Sequence, residues 1–156
     1  MITVRQANAD DIPAISQMLE EMVTFKKRSL PADITFVRDQ YVLHPDNLSC
    51  ALAIAEDSAV LGLQIFKRAS AGNPYDVPVG WGIIGTHVHP NAARKGVGRA
   101  LFEVTEKAAC DANVGKIDAT IGADNVEGLS YYEAVGFRTY ETSDTHVRKV
   151  LEITAP

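Results

Sequence analysis

A chain of 156 residues and 16.9 kDa has room for one well-cored domain and too little for two. Hydrophobic residues at 46% and charged residues at 22% exclude disorder and collagen-like repeats, and 15 Lys and Arg against 20 Asp and Glu leave a net charge of −5. That acidic balance, with a pI near 5.3, excludes a chain built to grip a phosphate backbone, so no nucleic-acid partner is expected.

Cys50 and Cys110 are too few to make a disulfide framework in a chain this long. The opening residues have neither the basic start nor the apolar run of a secretory leader. The longest apolar stretches, 50–55 and 77–84, fall far short of the ~20 residues a membrane span needs. The expectation is a soluble cytoplasmic protein with no membrane partner, one domain covering residues 1–156.

Residues 1–6 read as a strand. Asn8 or Asp10 then caps a helix whose Ile12, Ile15, Leu19, Met22 and Val23 recur at helical spacing, with Lys26, Lys27 and Arg28 suited to its negative end. A second helix starts at Pro31 or Asp33 and runs to Leu43, where Pro45 stops it. Strands 49–56 and 60–67 meet at Asp57-Ser58 as a hairpin, and 69–78 is a loop with two prolines. A glycine-rich strand covers 79–89, and a helix over 98–111 carries Leu101, Val104 and Ala108 on one face. Strand 116–122, helix 125–135 and the closing strands 137–141 and 148–153 complete the chain. This order predicts an α+β (α/β three-layer) domain, a mixed sheet covered by helices.

The most informative stretch places a strand, a proline stop and a glycine loop immediately before the helix that starts near Gly98. Glycines let backbone approach a ligand closely, and the first amides of a helix are free donors at a positive dipole end. Arg94, Lys95 and Arg99 add charge at the same place, so a pyrophosphate suits it. Gly96-x-Gly98 fails as a Rossmann fingerprint, because the third small residue would fall on Leu101, and no Gly-Lys-Ser/Thr follows to make a P-loop. A second signal begins 27 residues beyond Gly98, at Asn125, where a strand ends and a helix carries Tyr132 and stops at Gly136.

Together these segments resemble the GCN5-related N-acetyltransferases, the GNAT superfamily. Its phosphate loop reads Q/R-x-x-G-x-G/A and its second motif roughly N-x-x-A-x-x-L-Y-E-x-x-G-F. Gly96, Gly98, Asn125, Tyr132, Glu133, Gly136 and Phe137 match in place. Ala93 stands where the family has Gln or Arg, Arg94 where glycine is common, Gly128 for alanine and Tyr131 for leucine. The resemblance implies a mixed, mostly antiparallel sheet of about six or seven strands flanked by about four helices.

It further implies acetyl-CoA as cosubstrate and an amine of a small molecule or peptide as acceptor, with direct transfer in a ternary complex. The strand before the loop is then expected to splay from strand 116–122, so that Thr86, His87 and Val88 receive the pantetheine arm. The Val88 amide would polarise the thioester carbonyl. The diphosphate would rest on Arg94, Lys95, Gly96, Val97, Gly98 and Arg99, with Asn125 and Tyr132 also at the cofactor. Tyr132 is the expected general acid for the departing thiolate, the plain alternative being a core tyrosine that only hydrogen-bonds the sulfur.

Three candidates stand for the general base. His87 has an ordinary pKa near ~6.5, Asp118 needs burial to raise it, and a water chain needs neither. Alternation puts His87 and His89 on one strand face, opposite Thr86 and Val88, and Asp118 with Thr120 on one face of the next strand. His87 and His89 lack a third ligand, since His44 and His146 fall in loops, so no metal is expected. Family habit points to a homodimer joined through C-terminal strands or sheet edges. The missing base also keeps open a non-catalytic CoA-binding module on the same fold.

Overall fold

The computed structural model describes residues 1–25, 28 and 30–154. Strand β1 (Ile2–Gln6) leads into a 3-10 turn over Ala9–Asp11. There Asn8 accepts from Asp10 N at 2.9 Å and the Asp11 carboxylate accepts from Asn8 N at 2.8 Å, a reciprocal cap. Helix α1 (Ile12–Thr24) buries Ile12, Ile15, Met18, Leu19 and Met22, while Val23 is 44% exposed. Val23 lies in the last turn of the helix, at the edge of its apolar face. Lys26 and Lys27 lie outside the described residues.

The expected second helix is a different object. Helix α2 starts as one α-turn, Ile34–Phe36, capped by Asp33 accepting from Phe36 N, and widens into a π-helical Val37–Val42. Its closing bond runs from Leu43 N to Arg38 O at 2.8 Å, five residues back. The wider turn lets Val37, Tyr41 and Val42 all face the core, which no apolar spacing over six residues distinguishes from an ordinary helix.

Strands β2 (Asn47–Ala55), β3 (Val60–Arg68), β4 (Gly82–Val88), β5 (Lys116–Gly122), β6 (Arg138–Thr142) and β7 (His146–Glu152) complete a seven-stranded sheet in the order β1-β2-β3-β4-β5-β7-β6. Only β4 and β5 pair in parallel. The glycine-rich strand begins at Gly82 instead of 79 because Gly80 N turns back to Ala69 O at 3.0 Å. His146 opens β7 and is not in a loop. The last strand, β7, is paired on both sides, and the sheet's outer strands are β1 and β6.

Alternation in the strands builds a core on each face of the sheet. Cys50, Leu52, Leu63 and Ile65 face α1 and α2, and burial pushes the Cys50 thiol up to about 12. On the other face Phe66, Ile84, Ile117 and Ile121 meet α3 (Val97–Asp111) and α4 (Val126–Val135). Fully buried aliphatic and aromatic side chains such as Phe66 and Leu101 each contribute about 1.5–3 kcal/mol. The buried line of α3 is Val97, Leu101, Phe102, Thr105 and Ala109, one position round from the predicted Val104 and Ala108. Val104 and Ala108 are half-buried and still pack against the core, and Thr105, polar yet wholly buried, is what hydrophobicity alone leaves out. Among the described residues no helix is long and apolar enough to cross a membrane.

Candidate active site

The centre of the sheet opens because β4 and β5 stop pairing almost as soon as they start. Their register holds for Gly82 with Ile117 and Ile83 with Asp118 alone. Beyond it β4 stays in unbroken register with β3 as far as Val88, and β5 stays with β7 as far as Gly122. His89 N donates to Leu61 O at 2.9 Å on the β3 side. In an antiparallel ladder alternate residues turn their backbone groups to opposite edges. The N–H and C=O of Thr86 and Val88 therefore point into the splay. A desolvated backbone group without a partner costs about 1–3 kcal/mol, so a half-buried inner edge like this one is suited to an extended ligand arm.

The loop ahead of α3 supplies the second feature. Gly96 sits at φ +82, the left-handed region glycine enters freely, and no side chain caps the helix. Arg94, Lys95 and Arg99 are exposed around the uncapped amides. Open space surrounds Gly96, and the donors and cations there fit a diphosphate. Gly98 has a different reason to be small. A Cβ there would lie 2.6 Å from Cε1 of Tyr131, whose hydroxyl donates to Gly98 O at 2.8 Å.

Helix α4 brings Tyr132 to the opening. Asn125 caps α4 by accepting from Gly128 N at 3.0 Å, and Gly136 ends it. The Tyr132 ring is 5% exposed, packed between Tyr131 and Phe137, and its hydroxyl lies 2.8 Å from Thr86 Oγ1. Burial pushes the phenol well above its ordinary pKa, with Thr86 acting in the other direction, so the group keeps its proton at neutral pH.

His87 and Asp118 lie on the opposite face, one on each side of the splay, but are not brought together. Asp118 stands level with Ile83, four residues before His87, and the two share no partner among the described residues. His87 packs against Tyr41 at 5.4 Å, with Arg28 Nη1 3.4 Å from its Nδ1. Burial and the neighbouring guanidinium bring its pKa down to about 3, so the expectation of an ordinary imidazole is corrected: the ring is a weak base here. His89 is held separately by Glu21 at 2.7 Å and by Asn91 N at 3.1 Å. Asp118 is fully buried and already engaged. Thr120 donates to it at 2.7 Å, Tyr140 donates to its other oxygen, and Arg148 Nε stands at 3.4 Å. Among the described residues no three His, Cys, Asp or Glu side chains cluster to hold a metal.

The family model of the acetyltransferase (GNAT) family matches residues 14–137. The chain belongs to the GNAT acetyltransferase family. Solved structures agree on the fold. A GCN5-related N-acetyltransferase from Kribbella flavida superposes with a TM-score of 0.80 at 18% identity, covering 97% of each chain. The yncA protein from Salmonella typhimurium, solved with its cofactor acetyl-CoA, gives 0.70 at 19% identity over 98% of this chain and 94% of that one. The ribosomal-protein-S18-alanine N-acetyltransferase from Escherichia coli gives 0.75 at 18% identity over 100% and 96%. Curated protein sequences yield no match.

Within this GNAT domain, three polar residues behind Tyr132 escaped sequence reasoning. Gln64 is fully buried in β3 and donates to Thr86 Oγ1 and to the Tyr131 hydroxyl, both at 3.0 Å, while Thr105 donates to its carbonyl oxygen at 2.5 Å. The available signal was a lone Gln in the apolar run 60–66, on the same strand face as Phe66. Tyr131, treated as a stand-in for leucine, is the third.

Proposed function

We propose that this protein is an acetyl-CoA-dependent N-acetyltransferase, cytoplasmic and carried by one domain over residues 1–156, that moves an acetyl group to a primary amine in a ternary complex. The observation that carries the reading is the convergence of three things on one opening: outward-facing backbone at Thr86 and Val88, uncapped α3 amides ringed by Arg94, Lys95 and Arg99, and the neutral Tyr132 hydroxyl. Acetyl-CoA supplies the reactive thioester. The α3 amides and the three cations neutralise its diphosphate. Thr86 and Val88 align the arm strand-fashion beside His87, and Val88 N–H polarises the thioester carbonyl. Tyr132 holds the proton that the departing sulfur takes up as the acceptor nitrogen bonds the acetyl carbon and the carbon–sulfur bond breaks. The nitrogen's surplus proton passes to water, and water returns a proton to Tyr132.

His87 and Asp118 shape the acceptor side, because one imidazole is too weak a base and the carboxylate is already bonded. The E. coli neighbour acts on a ribosomal-protein alanine, so both peptide and small-molecule amines belong in the test. The experiment pairs calorimetric titration with acetyl-CoA against thiol release over a panel of amines. Turnover that falls at least about tenfold in Tyr132→Phe, with acetyl-CoA affinity changed by less than about tenfold, is the expected result. A second reading, a CoA-binding module without catalysis, draws on the lack of a free base, and it wins if acetyl-CoA binds but no amine is acetylated. If acetyl-CoA does not bind, both fall.

A further inference from the structure

The polar chain behind Tyr132 has a direction, and a carbonyl sets it. Gly98 O can only accept, so the Tyr131 hydroxyl 2.8 Å away must donate to it. The Tyr131 oxygen is then left to accept, which fixes the end of Gln64 that faces it as the NH2 group. The Gln64 carbonyl oxygen turns the other way and takes the Thr105 proton. The second Gln64 N–H reaches Thr86 Oγ1. With that oxygen accepting, the Thr86 proton faces two tyrosine oxygens, and the better placed is that of Tyr132 at 2.8 Å, toward which the Thr86 backbone also donates. The opposite sense would leave the Thr86 proton to the Tyr131 oxygen, which already accepts from Gln64.

We infer that Gln64 and Thr86, oriented by Thr105 and Tyr131, form a one-way hydrogen-bond relay that fills the acceptor site on the Tyr132 oxygen and turns the Tyr132 proton into the β4/β5 opening. Gln64 and Thr105 are fully buried, bonded to Thr86 and to each other, and act through Tyr132, as positioning residues. Four elements contribute: α3 carries Thr105 and Gly98, β3 Gln64, β4 Thr86, and α4 both tyrosines. Such a chain rests on the proposed role of Tyr132 as proton donor, and it assigns the identity of Gln64 and the buried polarity of Thr105 to the chemistry at sulfur.

The test uses the full chain with CoA and needs no acceptor. Ultraviolet difference titration against desulfo-CoA, which lacks the sulfur, reads the pKa of the bound thiol. A Tyr132 proton aimed at sulfur stabilises the thiolate, so Tyr132→Phe raises that pKa. Gln64→Met frees Thr86 to accept from Tyr132, and Thr86→Val removes the donor that holds the phenol. Each is expected to raise the thiol pKa by about one unit, a tenfold change in ionisation, with Thr86→Ser restoring it. Neither change adds to Tyr132→Phe when the two are combined. A circular-dichroism spectrum and cooperative thermal transition like the parent's identify folded variants, and if Gln64→Met does not fold, the Thr86→Val and Thr86→Ser pair decides. If Tyr132→Phe raises the pKa but Thr86→Val leaves it unchanged, lowers it, or raises it equally beside Tyr132→Phe, the relay is overturned and the Tyr132 reading stands. If Tyr132→Phe itself changes nothing, that reading fails and the relay with it.

Discussion

Gly98 is where the reading of a single residue changed most. The motif assigns its smallness to a ligand, whereas the 2.6 Å approach of Tyr131 assigns it to packing. Gly98→Ala is accordingly expected to destabilise the fold by about 1–3 kcal/mol, the usual range for overpacking. With Tyr131→Leu added it is expected to cost less than the two single changes summed, since the clash is then gone while the lost Tyr131 hydrogen bonds still count. Denaturant unfolding of the single and double variants checks both. His87 carries the second residue-scale prediction. Its folded pKa near 3 lies below an unfolded value of about 6.5, so between those limits the unfolded chain binds a proton the folded one refuses. Stability is therefore expected to fall as pH drops from about 6.5 toward 3, with His44, also depressed by burial, adding the same sign. His87→Gln should flatten this slope in urea titrations at stepped pH, and an unchanged slope would place the titration elsewhere.

Among the elements, α3 joins structure to binding most directly. Its first turn packs Val97 into the sheet while leaving the amides around Gly96 uncapped and flanked by exposed cations. Reversing two of them, in Lys95→Glu with Arg99→Glu, is expected to weaken acetyl-CoA binding about tenfold or more at low salt, with the gap to the parent narrowing as salt rises. Both charges lie outside the core, so the melting temperature without ligand should hardly move. Equal affinity at low salt would remove the diphosphate from this turn. The π-helical second half of α2 matters for the other side of the opening, since it is what turns Tyr41 onto His87.

For the whole molecule, the strand order decides where a second copy can attach. A homodimer was expected through C-terminal strands or sheet edges; β7 is paired on both sides, and the outer strands of the sheet are β1 and β6. β6 is exposed along its whole length. We expect pairing through one of these outer strands and a dimer by light scattering at micromolar concentration; a monomer there would refute it.

Much was legible in the residues themselves. Period-two and helical patterns, with Pro45, the 57–58 turn and the Asn125 and Gly136 boundaries, follow from local sterics and capping, which the chain carries with it wherever it folds. Gly96, Gly98, Asn125 and Tyr132 led to the right family for the same reason, a loop and a helix start being local objects. What lay beyond reach depends on partners distant in the chain. The insertion of β7 between β5 and β6, the collapse of the His87 basicity by Arg28 and burial, and the engagement of Asp118 by Tyr140 and Arg148 are properties of juxtaposition. Gln64 shows the division within one side chain: its sequence position marks a polar residue in an apolar strand, but only contact with Thr105, Thr86 and Tyr131 determines which way its hydrogen bonds run.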